Sequence, residues 1–241
     1  MYSETLNYEA NGVAMTGRLY FDPAITAPRP AVLVFPEAYG LGRHAMERAE
    51  RLAELGYVTL ACDLHGGARQ LEGMDEIMAV IGPLRENQAA VRALGEGALR
   101  AMVARREVDP QRVAAIGFCF GGTMAFELAR GGYDIRAAIG FHSGLTATGP
   151  GDARAIRAKV LACIGADDPS IPPEQRAAFE EEMRSGGVDW QLHVYGGVVH
   201  SFTNRDADDF GRPDFARYDR SADMRSWAAM RHLLEEVFDA A

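Results

Sequence analysis

The apolar positions of this chain fall into two rhythms. Over 5–8 and 15–20 the chain is strand-like, and Asn11-Gly12 between them is a turn signal, which predicts a β-hairpin. From residue 31 onward, short apolar runs recur at 31–35, 57–61, 112–117, 135–141, 159–165 and 190–195, as expected of buried strands. Stretches of helical character lie between and after them: 43–55, stopped by Gly56; 75–105, broken near Gly82-Pro83; 120–130; 173–185; and a long amphipathic helix over 215–238. Alternating strands and helices predict an α/β chain, with a mostly parallel, doubly wound sheet carrying helices on both faces. Ligands of such sheets bind beyond the carboxyl ends of the strands. The longest later connection, 142–158, is too short for a large lid domain, so one domain over 1–241 with an open cleft is expected.

Composition narrows the function classes. The formal charge of −9, with no basic stripe, argues against a nucleic-acid partner. No apolar run approaches the roughly 18 residues of a membrane helix, and residues 1–12 lack the basic start and apolar core of a signal peptide. Three cysteines, Cys62, Cys119 and Cys163, form no disulfide framework and fit a reducing cytoplasm. No Cys/His spacing suggests a metal, and no cofactor is implied. A monomer and a homodimer both remain open.

The chemistry centres on 114–125, which reads as strand, tight turn and helix around Gly117-Phe118-Cys119-Phe120-Gly121-Gly122. This G-x-C-x-G has the form of a nucleophile elbow, with cysteine in place of serine. Glycines there let strand and helix pass closely while the nucleophile is held in a strained conformation. A helix N-terminus favours a thiolate, and its amides face a nascent oxyanion. A buried thiol in a plain tight turn is the competing reading.

A thiol nucleophile needs a base, and the base an orienting acid. Asp167-Asp168-Pro169 follows the 159–165 strand, and Gly196-Gly197-Val198-Val199-His200 follows the next. Cys119, Asp168 and His200 therefore come in hydrolase order, each just past a strand's carboxyl end. Asp168, directly before Pro169, is preferred to Asp167. His142, also after a strand, is a candidate for lining the cleft. His193 reads as structural, and His44, His65 and His232 as surface or helix positions. Cys62 and Cys163 read as core. Glu37, in the loop Pro36-Glu37-Ala38-Tyr39-Gly40 after the first buried strand, either faces the elbow or is a solvated loop carboxylate.

With these residues in place, the chain resembles the dienelactone hydrolase family of α/β-hydrolases. The resemblance runs from about residue 10 to the C-terminal helix. It rests on Pro36-Glu37-x-Tyr39-Gly40, Asp63-Leu64, the Cys119 elbow, Gly165-x-x-Asp168-Pro169 and His200-Ser201-Phe202-Thr203-Asn204. It implies hydrolysis of an unsaturated, carboxylate-bearing enol-lactone, with Cys119 as nucleophile, His200 as base and Asp168 as its orienter. It also implies that Glu37 contacts the resting thiol and that the amides of Ala38 and Phe120 form the oxyanion hole. Tyr39, Arg69, His142, Phe202 and Arg205 are then the candidates for substrate contacts. The chain departs from the pattern shortly after His200, where the family carries an arginine that binds the substrate carboxylate: Arg205 is the nearest candidate here, and Asn204 stands four residues after His200.

A thiolate leaves a tetrahedral intermediate more readily than an alkoxide does. Cysteine chemistry therefore favours substrates with good leaving groups: enol-lactones, aryl esters or thioesters. The other classes left open are a non-catalytic binding protein on this fold and a peroxide-reactive thiol.

Overall fold

A computed structural model of the chain describes residues 1–149 and 153–239. Residues 150–152 of the 142–158 connection, and the last two of the expected 1–241 domain, lie outside the described residues. Among the described residues eight strands form one sheet: β1 (Tyr2–Ala10), β2 (Val13–Phe21), β3 (Arg29–Phe35), β4 (Val58–Ala61), β5 (Val108–Phe118), β6 (Ala137–Phe141), β7 (Lys159–Gly165) and β8 (Trp190–Tyr195). Their order is β1-β2-β4-β3-β5-β6-β7-β8, and β2 alone runs against the rest. Asn11 and Gly12 carry positive φ of 51° and 72°, the conformation a tight two-residue hairpin turn requires.

Among the described residues six α-helices cover the sheet: α1 (Arg43–Ala53), α2 (Met74–Arg85), α3 (Gln88–Val103), α4 (Phe120–Arg130), α5 (Pro173–Gly186) and α6 (Arg220–Asp239). The pleat of β3 shows why both faces need cover. Ala31, Leu33 and Phe35 pack with α3 and α4 on one side, while Val32 and Val34 pack with α1 and α6 on the other. No helix among the described residues is long and apolar enough to cross a membrane.

Two helix boundaries differ from the sequence reading. The break expected near Gly82-Pro83 falls instead at Glu86-Asn87, and Pro83 lies within the last turn of α2. The carbonyl that Pro83 leaves without an amide belongs to Ala79, which is solvent-exposed, so water can satisfy it. Asn87 then starts α3 by accepting a 3.0 Å hydrogen bond from the Ala90 amide. The final helix begins at Arg220 rather than 215, capped by Asp219, whose carboxylate accepts from the Ala222 amide at 2.8 Å. Residues before that cap serve the site: the Phe215 carbonyl accepts from the His200 amide, and the Arg217 amide donates to the His200 carbonyl.

Candidate active site

β5 runs into α4 through Cys119, which has φ 52° and ψ −120° and is half-buried. Two glycines make this turn sterically feasible. A Cβ on Gly117 would stand 2.1 Å from the Gly121 carbonyl, and one on Gly121 would stand 2.3 Å from the Pro36 carbonyl oxygen. The latter approach brings the β3–α1 loop beside the elbow, with Ala38 and Phe120 both on the same cavity as Cys119. The backbone N–H groups of these two residues have no intramolecular partner among the described residues.

His200 and Asp168 arrive on neighbouring loops that are tied together. The Asp167 amide donates to the Val198 carbonyl at 3.0 Å, and Gly165 is so close to the same carbonyl that a Cβ would stand 2.2 Å from its oxygen. Asp168 is buried and Asp167 exposed. His200 Nδ1 donates to Asp168 Oδ2 at 2.7 Å, while Asp168 Oδ1 accepts from the Ser170 amide at 2.8 Å. The other side of the His200 ring meets Cys119. Burial works against an imidazolium, but the interactions with Cys119 and with the Asp168 carboxylate outweigh it, and His200 is pushed up to about 10.

Glu37 is buried, not a solvated loop carboxylate. Oε1 accepts from the Ser201 hydroxyl at 3.0 Å, and Oε2 accepts from Asn204 Nδ2 at 2.8 Å and from the Tyr39 hydroxyl. His44 Nδ1 lies 3.3 Å from Oε2. None of these partners is Cys119, in contrast to the thiol contact the resemblance implies. Burial alone would raise the Glu37 carboxyl. The His44 ring and the Tyr39 hydroxyl reverse that and hold it well below the usual carboxylate range. Burial and the Glu37 charge push the Tyr39 phenol far up, which keeps it a donor.

His44, expected at a surface or helix position, is on α1 but buried, edge-on to Phe118 with centroids 4.5 Å apart. It was missed because helical periodicity places it on a face without saying what that face meets. The available signal was Glu37 itself, since a buried carboxylate must find donors.

A cavity of about 1040 Å³ opens over Cys119 and His200. Of the expected substrate contacts, Tyr39 lines it, and four others do not. Arg69 turns outward to an exposed ion pair with Glu76. Arg205 is exposed on the short helix after Asn204, away from the cavity. Phe202 is fully buried against Tyr195 and His142, because apolar burial outweighs its nearness in sequence to His200. His142 lies beneath the site, edge-on to His200 at 5.1 Å and bonded through Nε2 to the Thr203 hydroxyl at 2.8 Å. Burial and the neighbouring His200 push His142 well below the ordinary imidazole range, so it sits neutral. Cys62 and Cys163 are buried, and burial raises both thiols.

Comparison with known proteins places this geometry. The sequence model of the dienelactone hydrolase family matches residues 16–238. A protein of Bradyrhizobium sp. named "Probable 2-oxo-3-(5-oxofuran-2-ylidene)propanoate lactonase" is 27% identical over 191 residues, 75% of this chain and 76% of its own. Among solved structures, a dienelactone hydrolase-like promiscuous phosphotriesterase from metagenomic libraries is 42% identical, with TM-score 0.94 and 98% of each chain covered. A thermophilic esterase of Thermogutta terrifontis shares the fold at TM-score 0.66 and 21% identity, over 98% of this chain and 92% of that one. The family match spans both flanks of the elbow and reaches into α6, so this chain belongs to the dienelactone hydrolase family, hydrolases of esters and lactones built on the α/β-hydrolase fold.

Proposed function

We propose that the protein hydrolyses activated carboxylic esters and lactones by acyl transfer to Cys119. One observation carries the reading: a cysteine at φ 52° on a strand–helix elbow, beside a histidine whose far nitrogen is 2.7 Å from a buried aspartate. Cys119 Sγ, as the thiolate of a thiolate–imidazolium pair, attacks the carbonyl carbon. The free amides of Ala38 and Phe120 take the developing oxyanion, each worth about 3–4 kcal/mol in comparable sites. The intermediate collapses by breaking the bond to the leaving oxygen, and the proton of His200 Nε2 passes to that oxygen or, when the oxygen departs as a stable anion, to solvent. Water then gives a proton to the neutral His200, attacks the thioester and releases the acid, restoring the thiolate–imidazolium pair. Asp168 keeps the imidazole in the required tautomer and orientation. Glu37 acts as a positioning residue, drawing Ser201 and Asn204, hence the His200 loop, onto the loop that carries Ala38.

The test is turnover of 4-nitrophenyl acetate and of a dienelactone by the wild type, Cys119→Ala and Cys119→Ser. Loss of turnover in Cys119→Ala supports the reading, and survival of turnover overturns it. A second substrate class, phosphotriesters, is favoured by the 42% identity to a neighbour bearing that activity in its name. Diethyl 4-nitrophenyl phosphate, with the same variants, tests it.

A further inference from the structure

α2 carries an apolar stripe at Met74, Ile77, Met78 and Ile81, the i, i+3, i+4, i+7 spacing that ordinarily faces a core. Here only Ile81 is buried. Met74 and Met78 remain 46% and 47% exposed, and all four line the cavity over Cys119. Phe215 and Phe210 line the same cavity, the latter 46% exposed. Met74, Met78 and Phe210 stay about half exposed on the cavity wall, while Ile77 packs partly on the core and Phe215 lies between His200 and the Arg212 guanidinium. A stripe of core spacing that shares a cavity with two aromatic rings and the elbow cysteine, and whose two methionines stay about half exposed, lacks an apolar partner.

The charges around the cavity do not supply an anion site. Glu37 is saturated by its own donors. Arg43 is paired with Asp206. Arg85 and Arg212 also line the cavity but are solvent-exposed, where water screens a charge contact. Asn204, which stands four residues after His200, brings no positive charge. The volume, about 1040 Å³, is at the upper end of what drug-sized ligands occupy, and methionines adapt to irregular shapes.

We propose that the substrates of this site are neutral esters with a bulky apolar group, alkyl or aryl, that rests on the α2 stripe and against Phe215. This rests on the acyl-transfer reading above and deepens it. The family's small, carboxylate-bearing lactone would leave the stripe uncovered.

The experiment is a series of 4-nitrophenyl esters from acetate to hexanoate, plus the mono-4-nitrophenyl ester of glutaric acid as the anionic counterpart of the pentanoate. kcat/KM is expected to rise about fourfold per methylene that reaches the stripe. In Met74→Ser/Met78→Ser the hexanoate-to-acetate ratio is expected to fall at least tenfold. Both positions are half-exposed, so the variant can fold. A flat or falling series in the wild type, or a preference for the glutarate ester over the pentanoate, overturns the proposal. Binding of N-(4-nitrophenyl)hexanamide to Cys119→Ala, measured by calorimetry, separates the two readings. Affinity at least tenfold above that for N-(4-nitrophenyl)acetamide, lost in the serine double variant, supports the apolar wall even if turnover proves independent of Cys119. Equal affinities overturn it.

Discussion

Asn204 Nδ2 lies 2.8 Å from Glu37 Oε2 and joins the loop after β8 to the loop after β3. The bond does two things at once. It supplies a donor to a buried carboxylate, and it draws the chain after His200 toward the Ala38 side of the elbow. Asn204→Ala leaves Glu37 short of that donor, with an expected cost of about 1–3 kcal/mol. Asn204→Asp places a second carboxylate beside the first and is expected to cost more, and increasingly so as pH rises. Urea unfolding of the three proteins checks this. Equal stability of Asn204→Asp and the wild type at neutral pH would contradict it.

The Asp168–His200 pair makes a pH prediction with a definite sign. The imidazole is raised from 6.5 to about 10 in the folded protein. Its contribution to stability is therefore complete below about 6.5 and is lost as pH rises toward 10. For the reaction, His200 must hold its proton to keep the ion pair, so the alkaline limb of kcat/KM is expected near pH 10. Asp168→Asn removes a charge that holds the proton. The limb should move to lower pH, and kcat/KM should fall by about 10²-fold or more. A pH–rate profile on an activated ester, corrected for spontaneous hydrolysis, decides it.

Gly121 is confined by backbone and not by a flexible side chain. A methyl group there would stand 2.3 Å from the Pro36 carbonyl oxygen and 2.4 Å from that of Phe35. Gly121→Ala is expected to push α4 away from β3 and to cost about 1–3 kcal/mol or more, with the Ala38 and Phe120 amides driven apart. Soluble yield and melting temperature measure the first effect. Any residual activity on 4-nitrophenyl acetate measures the second.

Three residues near the site separate catalytic from structural roles. Arg69 and Arg205 are exposed and away from the cavity, so their alanine variants are expected to keep kcat/KM within about twofold. Phe202 is fully buried, and Phe202→Ala should cost about 3–5 kcal/mol of stability. A Michaelis analysis of the arginine variants checks the first expectation, and a large rise in KM for either would place it on the substrate. Denaturant titration of Phe202→Ala checks the second.

The sequence by itself determined the parts whose signal is local. Continuous apolar runs marked the central strands because those strands are buried on both faces. Gly117 and Gly121 marked the elbow because only glycine fits where backbones touch, and Gly122 beside them leaves room for the Ser143 side chain. The chain order of Cys119, Asp168 and His200, each just past a strand end, placed them on one edge of a parallel sheet. Tertiary structure decided what depends on partners distant in sequence. Glu37 could be read as a solvated carboxylate until Ser201 and Asn204, more than 160 positions away, supplied its bonds. Phe202 and His142 were drawn beneath the site by burial, and Arg69 was turned away by Glu76. The stripe of α2 shows the limit most clearly: periodicity identifies an apolar face, but only the packed fold shows that this face meets an open cavity and not the core.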